Sequence, residues 1–223
     1  MSGAREPETL ASEALISEVF HSLSQPLTAL SCTLELGLQR DQDIEQLRGS
    51  VQTALENAEH LRQRLLLVRA LNDASEDSEL AVVQLDTVLR ELADDASVLF
   101  RAAGKRFALT IEAARCLVRL DRVRFVRALW VFLEYLLHYL VPKGLLTMDV
   151  KAGGQDQVQI RIDSMSCLPM SPASKRSAEP YSCEIELLRR TLAAAGGTMA
   201  MIQCDHERTI WLVTLPVAKM HGD

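Results

Sequence analysis

His21 stands in the run Phe20-His21-Ser22-Leu23-Ser24-Gln25-Pro26-Leu27-Thr28-Ala29-Leu30. Phe20 and Leu23 belong to an apolar stripe at helical spacing, so His21, one position round from Phe20, falls on the flank with its imidazole open to solvent or a partner. Pro26 leaves the carbonyl of Ser22 without its helical hydrogen bond, which costs roughly 3 kcal/mol in a helix interior. A kink one turn from an exposed histidine is a costly feature to keep for packing alone. Gln25 lies one turn after His21 on the same face, where its amide can orient a water; the plainer reading is a polar residue before a proline. Ser22 and Ser24 have no base at fixed spacing and no G-x-S-x-G around them, so neither reads as a nucleophile.

Other candidates are weaker. Cys204 and His206 straddle Asp205 as two metal ligands would, but no second pair has suitable spacing and a structural reading wins. Arg115, Arg119, Arg122, Arg124 and Arg127 lack interleaved aromatics and fall on different elements, which suits a solvated surface or an acidic partner better than nucleic acid. His60, between Glu59 and Arg62, reads as a surface residue, and His138 as one packed in its helix.

The elements that must position these residues follow from periodicity. Apolar residues recur at Ile16, Phe20, Leu23, Leu27, Leu30, Leu34 and Leu38, pause over Gln39 to Asp43, and resume at Ile44, Leu47, Val51, Ala54, Ala58, Leu61, Leu65 and Val68. These are two long helices, the second about 43 Å long, joined as an antiparallel hairpin. One hairpin cannot cover its own seam, which predicts a homodimeric four-helix bundle, with burial against the C-terminal half as the alternative. The acidic segment Asn72 to Glu79 reads as a linker.

Beyond it the pattern gives a helix near Asp86 to Ala103, strand-like runs at Arg106 to Ile111 and Cys116 to Leu120, and a helix from Asp121 to Leu140 with Asp121 as N-cap. Leu145 to Lys151 pairs with Gln157 to Ile162, and Met199 to Cys204 with Thr209 to Leu215, as two hairpins. Between them Ser164 to Pro180 is expected to be loose, and a helix from Tyr181 to Ala195 stops at Gly196 and Gly197. The C-terminal part is a mixed sheet with helices on one face.

The 223 residues, 48% of them apolar, can bury a proper core, and only 4% are aromatic, which favours helix packing. The net charge of −6 disfavours nucleic acid. Residues 1–80 hold 6 basic and 14 acidic side chains, net −8, and the remainder 18 and 16, net +2. Five scattered cysteines suit free thiols in a reducing compartment. The start is polar, and the longest apolar stretch, Ala128 to Val141, carries Glu134 and His138 and is too short to span a bilayer. A cytoplasmic protein with no membrane partner is expected.

With His21, Leu23, Pro26, Leu27, Thr28 and Ala29 in register, the first half resembles the dimerisation and phosphoacceptor hairpin of bacterial sensor histidine kinases. The resemblance implies that His21 is the phosphoacceptor. It departs at Ser22, where the family usually has Glu or Asp, and at Gln25, where Thr or Asn is usual; Ser22 and Gln25 are the possible auxiliaries. The element order of the second half resembles the kinase ATP-binding domain. Val118 to Asp121, the helix that follows and Pro142-Lys143-Gly144 are similar to the strand, helix and turn carrying the family's asparagine box. Yet the only asparagines are Asn57 and Asn72, both in the hairpin. The aligned stretch reads Phe132 to Leu137. The Asp-x-Gly-x-Gly box corresponds to Asp163 to Cys167, keeping the acid that would hold adenine and losing both glycines, whose place side chains obstruct for phosphates. Glu179 to Cys183 lacks the second glycine box.

The expected fold is therefore α+β: a disordered stretch at 1–9, a helical hairpin at 10–72 forming a dimeric four-helix bundle, a linker at 73–81, and a degenerate ATPase-like α/β sandwich at 82–223. Such a chain resembles the dimeric histidine phosphotransferases of phosphorelays, in which a phosphoryl group moves from a receiver aspartate to His21 and on to a second receiver. The resemblance implies response-regulator receiver domains as partners, with a hybrid histidine kinase as a further candidate. It implies no ATP use and no cofactor or metal of the chain's own, the Mg2+ being supplied by the receiver. Alternatives are a non-catalytic pseudokinase adaptor and a response-regulator phosphatase using Gln25.

Overall fold

A computed structural model describes residues 6–39, 44–73, 79–112, 116–154, 156–167, 182–204 and 208–218. The chain divides into two compact units, residues 1–73 with 181–183, and residues 74–180 with 184–223.

The first unit is a hairpin of α1 (Glu6–Gln39) and α2 (Ile44–Asp73). Helix α1 starts four residues ahead of the expected Leu10 and continues through Pro26. The rest of the expected disordered stretch, the break at 40–43 and most of the linker, 74–78, lie outside the described residues. The apolar stripe does not act as one seam. Leu23, Leu30, Leu61 and Val68 are half-buried and Ala54 is buried, whereas Phe20, Leu27, Leu34, Leu38, Ile44, Leu47, Val51 and Leu65 are exposed. Two helices meet along a narrow line, so alternate members of a wide stripe stay outside it.

The second unit has two layers. Strands β2 (Arg106–Ile111), β4 (Leu140–Ala152), β5 (Gln157–Cys167), β6 (Thr198–Cys204) and β7 (Arg208–Pro216) form a sheet in the order β2-β4-β5-β7-β6. The β2-β4 pair is parallel and the others antiparallel. A short separate pair joins β1 (Ala81–Gln84) to β3 (Leu117–Leu120), and helices α3 (Leu85–Ala102), α4 (Arg122–Tyr139) and α5 (Cys183–Ala194) complete the unit. Both expected hairpins are present, but strand β1 is not apparent in the sequence pattern, because four residues are too few for alternation to show. Strand β5 extends through Cys167, so the start of the expected loose segment is ordered sheet; residues 168–181 lie outside the described residues.

Helix α4 forms because apolar residues at Phe125, Ala128, Leu129, Phe132, Leu133, Leu136 and Leu137 line one face, all of them buried. Its first turn is capped by the Asp121 carboxylate, which accepts from the Arg124 backbone N–H at 3.0 Å. Its last turn is capped by Lys105, whose Nζ donates to the Leu137 carbonyl at 2.5 Å. Desolvation pulls the Lys105 pKa below its ordinary value. Phe132 meets Trp211 of β7 edge-on, with ring centroids 5.5 Å apart, which seats α4 on the sheet. His138 falls just off the buried face and is exposed, its Nδ1 2.7 Å from the Glu134 carbonyl oxygen, rather than packed as the sequence suggested.

The Pro142-Lys143-Gly144 turn is instead an irregularity inside β4, with a register shift between Leu140 and Leu145 and Lys143 at φ 66°. Helix α5 ends in a Schellman arrangement, in which Gly197 N–H donates to Leu192 O at 2.8 Å and Gly196 N–H to Ala193 O at 2.9 Å, with Gly196 at φ 72°.

Candidate functional site

His21 and Gln25 both stand exposed on α1, four residues apart and therefore on one face. Ser22 lies between them on the helix, its side chain outside the described residues, and Pro26 is half-buried. A Cβ placed on Gly37 would lie 3.8 Å from the Ser50 Cβ, which sets the register of the hairpin. Counting equal steps along the two antiparallel helices brings His21 level with Leu66 of α2. Leu65 and Leu66 are exposed there, and one turn away Arg62 grips Glu59 with two hydrogen bonds of 2.8 and 2.6 Å. That hydrogen bond, followed by the charge of Glu59, raises the Arg62 pKa. The arrangement presents an imidazole that a group on another molecule can approach in line.

In the second unit, the stretch that would carry the asparagine box is largely core. Phe132, Leu133, Leu136 and Leu137 are buried, and Glu134 and Tyr135 are half-buried on the helix flank. No asparagine lies there to reach a metal on a phosphate.

Asp163 faces away from the helices. Ile162 is the register partner of Trp211, whose ring meets Phe132 of α4, so the Ile162 parity of β5 faces the helices. Asp163, one residue on, points to the opposite face of the sheet, alongside Arg161 and Met165. There Arg208 holds both carboxylate oxygens, Nε at 2.9 Å from Oδ1 and Nη2 at 2.5 Å from Oδ2, and Arg161 Nη2 adds a contact of 3.1 Å. Burial pushes the carboxyl pKa up, but the hydrogen bond and charge of Arg208, then those of Arg161, outweigh it and hold the group below the ordinary carboxylate range. The helix-facing position at this level belongs to Ser164, buried, with Oγ donating to the Thr209 carbonyl at 3.1 Å. The alternation Val158, Ile160, Ile162 carried the signal for this parity; the partnership with Arg208 depends on the β5-β7 register.

Cys32, Cys116 and Cys183 are thiols outside any disulfide. Burial, and then the neighbouring Asp86 carboxylate, push the Cys116 pKa up, away from nucleophilic use. Among the described residues no group of three or more His, Cys, Asp or Glu side chains is placed to hold a metal. Asp205 and His206 lie outside the described residues. No helix among the described residues is long and apolar enough to cross a membrane.

No family model and no curated protein matches the sequence. Solved structures do match the fold. Histidine kinase ThkA in complex with response regulator protein TrrA superposes with a TM-score of 0.73 at 15% identity, over 96% of this chain and 64% of the other. The Acinetobacter baumannii histidine kinase AdeS gives a TM-score of 0.68 at 15% identity over 89% and 98% of the two chains. A histidine kinase from Burkholderia phymatum STM815 gives 0.54 at 19% identity over 97% and 100%. The chain thus has the fold of a histidine kinase core, a helical hairpin followed by an ATPase-like α/β unit.

Proposed function

We propose that this chain is a histidine phosphotransferase of a two-component phosphorelay, acting as a homodimer. The observation that supports the reading is the contrast between an exposed His21 and a second unit with no asparagine in the stretch aligned with the asparagine box and with Ser164, its hydroxyl tied to the sheet, at the helix-facing position next to Asp163. The receiver's aspartyl-phosphate is attacked in line by an imidazole nitrogen of His21. The new N–P bond forms as the P–O bond to the carboxyl breaks, the aspartate leaves as a carboxylate, and the phosphoryl group later passes to the aspartate of a second receiver. The Mg2+ travels with the receiver. The response regulator held by the ThkA structure supports receivers as partners.

Exposed leucines along both helices of the hairpin support dimerisation, because a second copy removes them from water. A second reading, dephosphorylation of a receiver, is favoured by the exposure of Gln25 one turn from His21, where its amide can align a water.

The test mixes the purified chain with radiolabelled phospho-receiver domains without ATP. Acid-labile, alkali-stable label on the chain, abolished in His21→Ala, is the expected result. Release of free phosphate that depends on Gln25 replaces the relay reading with the phosphatase. No exchange with any receiver, with binding intact in His21→Ala, replaces it with an adaptor. Saturable binding of an ATP analogue with Mg2+ contradicts the exclusion of nucleotide.

A further inference from the structure

Strand β6 is the last strand of the five-stranded sheet and pairs with β7. That ladder uses one side of the strand, and an edge of this kind is a template for pairing with another chain. Charged side chains and proline are the usual means of discouraging such pairing, and the run Thr198–Cys204, TMAMIQC, has neither. The sheet's other edge is built differently. Strand β2 opens on an exposed Arg106 next to Lys105, and it runs out at Glu112, which pairs with Lys151 of β4 at 3.0 Å.

Strand β6 is also held in place before any partner arrives. A Cβ on Gly197 would lie 2.5 Å from the Thr214 carbonyl oxygen, so the backbones approach closely where β6 begins. The Thr198 and Thr214 hydroxyls then meet at 2.6 Å. A strand already fixed on one side loses little freedom when it gains a neighbour on the other. Met199 is buried, whereas Thr198, Ala200 and Ile202 are exposed, Ile202 at 54%. The register with β7 skips Ile202, between the pairs of Met201 and Gln203.

The strand itself says what fits it. In an antiparallel pair about a two-fold axis a strand faces its own sequence reversed, so any charge it carried would be repeated close by in the copy. Strand β6 has none to repeat. An axis at Ala200 sets Thr198 opposite Ile202 of the second copy, a β-branched pair suited to a sheet.

We propose that β6 pairs antiparallel with β6 of a second copy of this chain, about a two-fold axis at Ala200. The pairing uses no residue of the hairpin and does not depend on the relay reading. Where the hairpin also dimerises, two different two-fold contacts on each chain link copies into longer assemblies. A seam from Thr198 to Ile202 is small, so its Kd is expected on the order of 100 μM, and in dilute solution it is dissociated.

Sedimentation velocity of the full chain from about 5 to about 500 μM tests this. The average mass should climb with concentration. Ala200→Lys/Ile202→Lys, which sets like charges across the axis, should weaken that association about tenfold or more and leave the mass in dilute solution unchanged. Leu27→Asp/Leu34→Asp, aimed at the hairpin contact, should keep the concentration-dependent step, so the two contacts fail separately. A mass that does not rise in the wild type, or that rises equally in the lysine variant, overturns the proposal. As a second measurement, Ala200→Cys in a Cys32→Ser chain places two thiols across the axis, where a Cα separation of about 4.5–5.5 Å suits a disulfide. Mild oxidation should give a covalent dimer about tenfold faster than Thr110→Cys, an exposed position on β2, in the same background. Equal rates overturn the proposal.

Discussion

In the α/β unit the large side chains of Trp211, Phe100, Phe125 and Phe132 are fully buried in the core, while in the hairpin Phe20, Leu38 and Ile44 stand 67%, 87% and 83% exposed. Each buried large apolar side chain contributes roughly 1.5–3 kcal/mol, so the second unit is stabilised from within and the hairpin only in part. Its polar groups follow the same division. The outer face of the sheet is matched pair by pair, Lys151 with Glu112 at 3.0 Å, Thr198 with Thr214 at 2.6 Å, and Asp163 with Arg208 and Arg161. The hairpin instead leaves His21 and Gln25 open on α1. The hairpin is thus the region whose own fold leaves large apolar side chains in water.

The sharpest way to break this contrast is to put charge on the exposed apolar stripe. Leu27→Asp/Leu34→Asp should convert the proposed dimer to a 24.8 kDa monomer by light scattering and melt much of the hairpin helicity. The destabilisation of the dimer should exceed about 4 kcal/mol, a thousandfold in its Kd. The near-ultraviolet signal of Trp130 and Trp211 in the second unit should survive. A dimer of unchanged affinity would mean the stripe is covered in some other way.

Next in size, Phe132→Ala removes the ring that meets Trp211 and should cost about 3–5 kcal/mol in chemical denaturation followed through Trp fluorescence, leaving the mass in solution unchanged. A cost under about 1 kcal/mol would show that this core is looser than its burial implies.

The smallest effect is expected from Asp163→Asn, about 2 kcal/mol at neutral pH, for the charged hydrogen bonds lost on the outer face of the sheet. Because the folded-state pKa is depressed, the wild type's advantage is present above the unfolded carboxyl value of about 3.9 and is lost as pH falls through the lower folded value. Thermal melts of the two proteins should therefore differ at pH 7 and converge below that value. A difference that persists in acid would assign the loss to packing.

The long helices, the N-cap at Asp121 and the two β-hairpins are legible in the sequence because each depends on neighbours three, four or two residues apart. His21 and Gln25 are legible for the same reason, since spacing along one helix fixes which residues share a face. The clasp of Asp163 by Arg208 is not, because 45 residues separate them and only the β5-β7 register brings them together. Nor is the convergence of Val82 and Arg119, which needs the pairing of β1 with β3. Period-two alternation in β5 did contain the orientation of Asp163, but a motif aligned by residue type alone overrides it.

By itself the sequence determined much of the local geometry: the long helices and the two β-hairpins, where the phosphoacceptor candidate stands, and that no asparagine is at hand for a nucleotide's metal. The tertiary structure alone decided which members of the hairpin stripe remain uncovered, which face of the sheet Asp163 occupies and that Arg119 stands opposite Val82. Those outcomes depend on contacts between residues far apart in the chain, and the chain's local periodicity carries no record of such partners.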